Sequence, residues 1–137
     1  MSETAVTYNN LGDSGLKISP FIIGCMTCGT KSWGDWVISD EEKVFGILKR
    51  AYDSGIRTFD TANVYSNGVS EEILGKFLKK YKIPRNRVVI MTKLFFPVDE
   101  DKGEEFTFST PFKAPAYEYA NAQGLSRKHV LEAAENS

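Results

Sequence analysis

Ile56-Arg57-Thr58-Phe59-Asp60-Thr61-Ala62-Asn63-Val64-Tyr65-Ser66 is a short apolar run that ends on a carboxylate, with a tyrosine five residues later. Thr58-Phe59 reads as a buried strand, because it lies between the helix-stopping Gly55 and the polar turn that begins at Asp60. Upstream, Ser39-Asp40-Glu41-Glu42 offers a capping residue with a glutamate three positions on, and its acids fall where the helix dipole favours them. Val44, Ile47, Leu48 and Ala51 then recur at helical spacing, and Gly55 closes this first helix. Downstream, a second helix is expected from about Ser70 to Tyr81, with Ile73, Leu74, Phe77, Leu78 and Tyr81 on one face, and Pro84 stops its continuation. Val88-Val89-Ile90-Met91-Thr92-Lys93 carries the strongest strand signal in the chain.

The combination is more specific than its parts. Phe59-Asp60-Thr61-Ala62-x-x-Tyr65, then Ser70-Glu71-x-x-Leu74-Gly75, then a lysine ending the next strand at Thr92-Lys93, resembles the aldo-keto reductases. Farther on, Gly124-Leu125-Ser126-Arg127-Lys128-His129 opens a third helix with Ser126 as its cap. That stretch resembles the third helix of the aryl-alcohol dehydrogenase branch and of the potassium-channel β subunits. The resemblance implies an α/β fold, the (β/α)8 TIM barrel, whose chemistry sits at the C-terminal tips of the strands.

Such barrels take roughly 250 residues, whereas this sequence has 137. The expectation is an incomplete barrel: an N-terminal hairpin plus about three β/α units, with residues 1–137 as the N-terminal part of a single barrel ending inside the third helix. Residues 8–18 hold two short apolar runs around Gly12-Asp13-Ser14-Gly15, which signals a hairpin, with an unpaired arm as the alternative. The resemblance implies a hairpin that plugs the barrel bottom. Phe21-Ile22-Ile23-Gly24 is a continuous apolar run, as expected for a first strand covered on both faces. Residues 94–124 lack clean periodicity and mix acids, prolines and seven aromatic side chains. A loop this long is functional or mobile, so it is either a lid at the catalytic mouth or a surface insert.

Reducing a carbonyl needs a hydride donor and an acid for the developing alkoxide. Tyr65 is the candidate acid. A free phenol titrates near pH 10, and a nearby cation such as Lys93 favours its charged form. Asp60 would hold that lysine in a buried ion pair, since neighbouring strands lie about 4.8 Å apart. The resemblance implies catalytic roles for Asp60, Tyr65 and Lys93. It places Met26 and Thr27 at the nicotinamide end of a cofactor site that also includes Asp60, with NADP(H) as the cofactor. The family's further histidine ends a fourth strand, and His129 belongs instead to the helix-three motif. The phosphate-binding loops after strands seven and eight also fall outside this sequence, which puts cofactor binding and activity by these residues alone in doubt. Cys25 and Cys28 form a Cys-x-x-Cys that could be a dithiol or half of a metal site, but two ligands without a nearby histidine argue against metal.

A net charge of −1 offers no field for nucleic acid or an anionic membrane. No apolar run approaches the ~20 residues that span a bilayer. Met1-Ser2-Glu3-Thr4 lacks the basic and apolar regions of a signal peptide, so a cytoplasmic protein with a small carbonyl or alcohol substrate is expected. Two other readings stand beside the reductase: a regulatory barrel akin to the channel β subunits, and the translated front of an interrupted gene. The long 94–124 segment favours the dehydrogenase branch, because the channel subunits have a shorter connection there.

Overall fold

The structure is a computed structural model and describes residues 6–137. The reading of Met1-Ser2-Glu3-Thr4 lies outside the described residues. The hairpin forms: β1 (Asn9–Asn10) pairs antiparallel with β2 (Lys17–Ile18). Gly12, at φ 56°, supplies the left-handed turn between them. The Tyr8 hydroxyl donates to the Gly55 carbonyl at 2.6 Å, which ties the hairpin to the end of the sheet where the strands begin.

Beyond it lies a parallel sheet in the order β3 (Ile23–Gly24), β4 (Thr58–Asp60), β5 (Val89–Met91). Ile23 faces Phe59 and Phe59 faces Ile90, while Gly24, Asp60 and Met91 share the next row. The first strand is shorter than the expected 21–24, with Phe21 72% and Ile22 41% exposed. Pro20 has no N–H to give a ladder. The Phe21 carbonyl is taken instead by the Ser19 hydroxyl at 2.7 Å, and that hydroxyl also accepts from the Arg57 N–H.

Two helices cover one face. In α1 (Glu41–Asp53) the cap is Asp40, not Ser39, and its carboxylate accepts from the Lys43 N–H at 3.1 Å. Its buried residues are Val44, Phe45 and Leu48, while Ile47 turns outward. Phe45 takes that place because it meets Phe77 of α2 (Val69–Lys80), ring centroids 6.2 Å apart. Phe77 in turn lies 6.2 Å from Phe59 and 5.3 Å from Tyr81. Phe59 and Phe77, both fully buried, each stabilise the layer by about 1.5–3 kcal/mol. Gly55, at φ 94°, turns the chain from α1 into β4, and a Cβ there would meet Val6 at 2.8 Å.

After β5 comes the long segment. It contains a 3-10 turn at Glu100–Glu105 and a short helix α3 (Thr110–Lys113). Its two ends meet where the Gly124 N–H donates to the Phe95 carbonyl at 2.7 Å. Helix α4 (Arg127–Asn136) follows, capped by Ser126 as expected. The described residues thus form an incomplete (β/α)8 barrel: an open three-stranded sheet, helix-covered on one side, with its other face unclosed.

Candidate active site

Asp60, Lys93 and Tyr65 meet at the C-terminal edge of the sheet. The ladder runs past its last strand residues: the Thr61 N–H donates to the Met91 carbonyl at 2.8 Å and the Asn63 N–H to the Lys93 carbonyl at 3.1 Å. This extension sets the Asp60 side chain opposite Lys93. The lysine Nζ donates to both carboxylate oxygens, at 2.9 and 2.8 Å, and to the Thr61 carbonyl at 2.6 Å. It also stands 5.1 Å from the centre of the Tyr65 ring. Burial pulls the lysine toward neutrality, but its bonds to Asp60 and Tyr65 outweigh burial and hold its pKa above the usual value.

The ion pair is not buried as expected. The lysine side chain is 50% exposed and the carboxylate 30%. Asp60 alternates with Phe59, whose ring points to the helices, so its side chain lies on the face of the sheet away from them.

The loop that carries Tyr65 is built from residues that sequence spacing did not single out. After Tyr65, Ser66 (φ 50°) and Asn67 (φ 55°) are both left-handed, and Gly68 follows at φ 95°. A non-glycine residue in that region costs roughly 1–2 kcal/mol, so the surroundings must hold it there. On one side, the Ser66 hydroxyl accepts from the Thr30 N–H at 3.1 Å. Gly29 makes this approach possible, because a Cβ there would lie 1.9 Å from the Ser66 Oγ. On the other side, the Asn67 amide donates to the Asp99 and Gly103 carbonyls at 2.8 and 3.1 Å, and its oxygen accepts from the Asp99 N–H at 2.9 Å. Ser70, wholly buried, donates to the Cys25 carbonyl at 2.8 Å and pins the start of α2 beneath the site. Asn67-Gly68 is a turn dipeptide and signals the left-handed backbone. Its partners more than thirty residues away leave no local trace.

Met26 and Thr27 both lie exposed in the loop after β3. They follow directly on Cys25, whose N–H donates to the Asp60 carbonyl at 2.8 Å. Met26, the next residue, leaves its apolar side chain 45% exposed. An apolar shelf next to polar edges suits a nicotinamide ring, so these residues fit that end of a dinucleotide. Cys25 and Cys28 are free and buried. Their mutual hydrogen bond draws the Cys28 thiol down and, with burial, drives the Cys25 thiol up. His129 is buried on α4, remote in sequence from the strand tips, and its Nε2 has no partner among the described residues.

The long segment forms an aromatic wall. Phe96 meets Phe95, Phe108 and Phe112 at 5.2, 6.3 and 5.9 Å, and Phe108 reaches Trp33 of the loop after β3 at 5.6 Å. Asp99 anchors the base of the segment. Burial raises its carboxyl, but bonds from the Tyr119 hydroxyl and Lys102 outweigh burial and hold it below the usual range. A depressed carboxyl contributes stability at neutral pH, and that contribution is lost as pH falls below about 4 and through the lowered value.

Comparison with known proteins bears on the family and the fold. The model of the Aldo/keto reductase family matches residues 22–137. A Schizosaccharomyces pombe protein, provisionally named an aryl-alcohol dehydrogenase, is 53% identical over 95% of this chain and 38% of its own length. The versiconal hemiacetal acetate reductase of Aspergillus parasiticus is 51% identical over 95% of this chain and 37% of its own. Among solved structures, a thermostable aldo-keto reductase in complex with the inhibitor epalrestat aligns with 95% of this chain and 36% of its own, at TM-score 0.61 and 26% identity. A Bacillus halodurans aldo-keto reductase in its holo form aligns with 69% of this chain and 28% of its own, at TM-score 0.56 and 30% identity. The chain spans well under half the length of these relatives.

Proposed function

The chain belongs to the aldo/keto reductase family, and from that premise we propose that it supplies the proton-donating part of an NADP(H)-dependent carbonyl reductase of the aryl-alcohol dehydrogenase type. Residues 1–137 then form the N-terminal part of a single barrel in a cytoplasmic protein, and its substrates are small aldehydes, ketones or the corresponding alcohols. The observation that carries the reading is the Lys93 ammonium, bonded to Asp60 on one side and set 5.1 Å from the Tyr65 ring on the other.

NADPH, when bound, supplies the hydride, and Met26, Thr27 and Asp60 would hold its nicotinamide end. Tyr65 donates its hydroxyl proton to the carbonyl oxygen as negative charge grows there. Lys93 stabilises the phenolate left behind, because a cation nearby favours the charged form. Asp60 fixes the lysine Nζ and keeps it from swinging into solvent. The aromatic wall of 94–124 suits aromatic or long apolar aldehydes.

The test is Tyr65→Phe in a complete barrel, made by joining this chain to the remaining residues of the Schizosaccharomyces pombe relative. Loss of general-acid help is worth roughly 10²–10⁴ in rate. The variant should therefore lose at least about a hundredfold in turnover while NADPH binding persists. Turnover within a factor of about three of the parent, well below that range, contradicts the assignment.

A further inference from the structure

The side chain of Asn67 does what a strand edge usually does. Its amide donates to two carbonyls, Asp99 and Gly103, and its oxygen accepts from the Asp99 N–H. Every one of these partners is main chain of the segment that follows β5. Asn67 is buried and sits two residues after Tyr65, in a left-handed turn whose local support is the bond from the Asn67 N–H to the Val64 carbonyl at 2.9 Å, while its side chain reaches only distant partners. On its far side the same turn is held by Ser66 and Thr30. The long segment is itself made firm by the bonds from Lys102 and Tyr119 to Asp99. A movement of the Asp99–Gly103 turn therefore pulls directly on the backbone next to the phenol.

We propose that Asn67 is a positioning residue, clamping the Tyr65 loop to the Asp99–Gly103 turn so that docking of the 94–124 segment and placement of the proton donor are a single event. This deepens the reductase reading and rests on it. The clamp makes the segment part of the catalytic apparatus even for substrates that never touch its aromatic side chains. It also separates two properties of Asn67. The left-handed backbone needs only a residue that tolerates φ 55°, whereas the clamp needs a primary amide.

Asn67→Gly separates them, since glycine relaxes the backbone and removes the clamp. In the complete barrel it should accelerate hydrogen exchange at the Asp99 amide by about tenfold or more, because that N–H loses its acceptor. It should lower kcat by about tenfold or more, as expected for a misplaced catalytic group, with NADPH affinity within about twofold and the melting temperature preserved. Asn67→Asp keeps an acceptor for the Asp99 N–H but sets a carboxylate against two carbonyls. It should keep the Asp99 amide slow relative to Asn67→Gly and still lower kcat. Fast exchange with unchanged kcat overturns the proposal, and so does a joint fall of kcat, cofactor affinity and melting temperature, which would mark a merely structural residue. If the unsubstituted barrel reduces no aldehyde, the reductase reading fails and the positioning role fails with it. The Asp99 exchange rate then still reports whether the clamp exists.

Discussion

Lys93 bonds three oxygens at once, and that crowding defines its role. Both oxygens of Asp60 and the Thr61 carbonyl accept from it, so its position is set by backbone and carboxylate together. With its pKa raised, the lysine's contribution is present below the ordinary lysine value near 10.4 and is lost as pH rises through the folded value. The lysine is half exposed and the carboxylate about a third exposed, so the pair adds little to stability. Lys93→Met in the complete barrel should lower turnover by roughly 10²-fold or more and shift the pH–rate profile; a profile unchanged in both limbs removes Lys93 from the mechanism. That Asp60 and Lys93 meet could be anticipated from sequence because each ends one of two neighbouring apolar strands, whereas roles for them and for Tyr65 come from the family resemblance. Gly29, Ser66 and Asn67 could not be anticipated. Their roles depend on contacts with residues 32 to 36 positions away for Ser66 and Asn67, and on a Cβ-sized gap for Gly29.

At the scale of elements, α1, α2 and β5 were legible because periodicity and capping are local signals. Small misreadings there have a packing cause: Phe45 rather than Ile47 faces the sheet because an aromatic ring can reach Phe77. The 94–124 segment resisted reading because its order is aromatic and tertiary. Phe106, nearly fully buried, packs edge-on against Tyr119 with ring centroids 6.0 Å apart. Phe96 and Phe108 gather a separate cluster, of which Phe108 and Phe112 remain more than half exposed. No helical or strand period links these positions. If the exposed cluster faces substrate, replacing 94–124 with a short Gly-Ser link should do two things. It should lower turnover for every aldehyde through loss of the Asn67 clamp, and it should lower kcat/KM for an aromatic aldehyde by roughly a further tenfold relative to a short aliphatic one, about the worth of one lost apolar contact. An equal loss for both aldehydes makes the segment a brace without a role in selectivity.

The whole molecule is an open sheet whose two faces differ. Ile23, Phe59 and Ile90 point to the helices. On the opposite face Val89 and Met91 are only half-buried. Strands β3 and β5 are both edges, ready to pair with further strands or with other chains. Eight strands close a barrel of this kind, and three cannot. Each apolar side chain left in water there forfeits roughly 1.5–3 kcal/mol, against a typical total stability of about 5–15 kcal/mol. If these residues carry the acid side of a carbonyl reductase, as proposed, they need the rest of a barrel to use it. The direct measurement is NADPH oxidation with benzaldehyde, run side by side on the 137-residue chain and on the same chain joined to the remaining residues of its Schizosaccharomyces pombe relative. Turnover is expected from the joined protein and none above background from the chain alone, which should also show no cooperative melt. A monomeric 137-residue chain that melts cooperatively and oxidises NADPH at a rate comparable to the joined protein would contradict it.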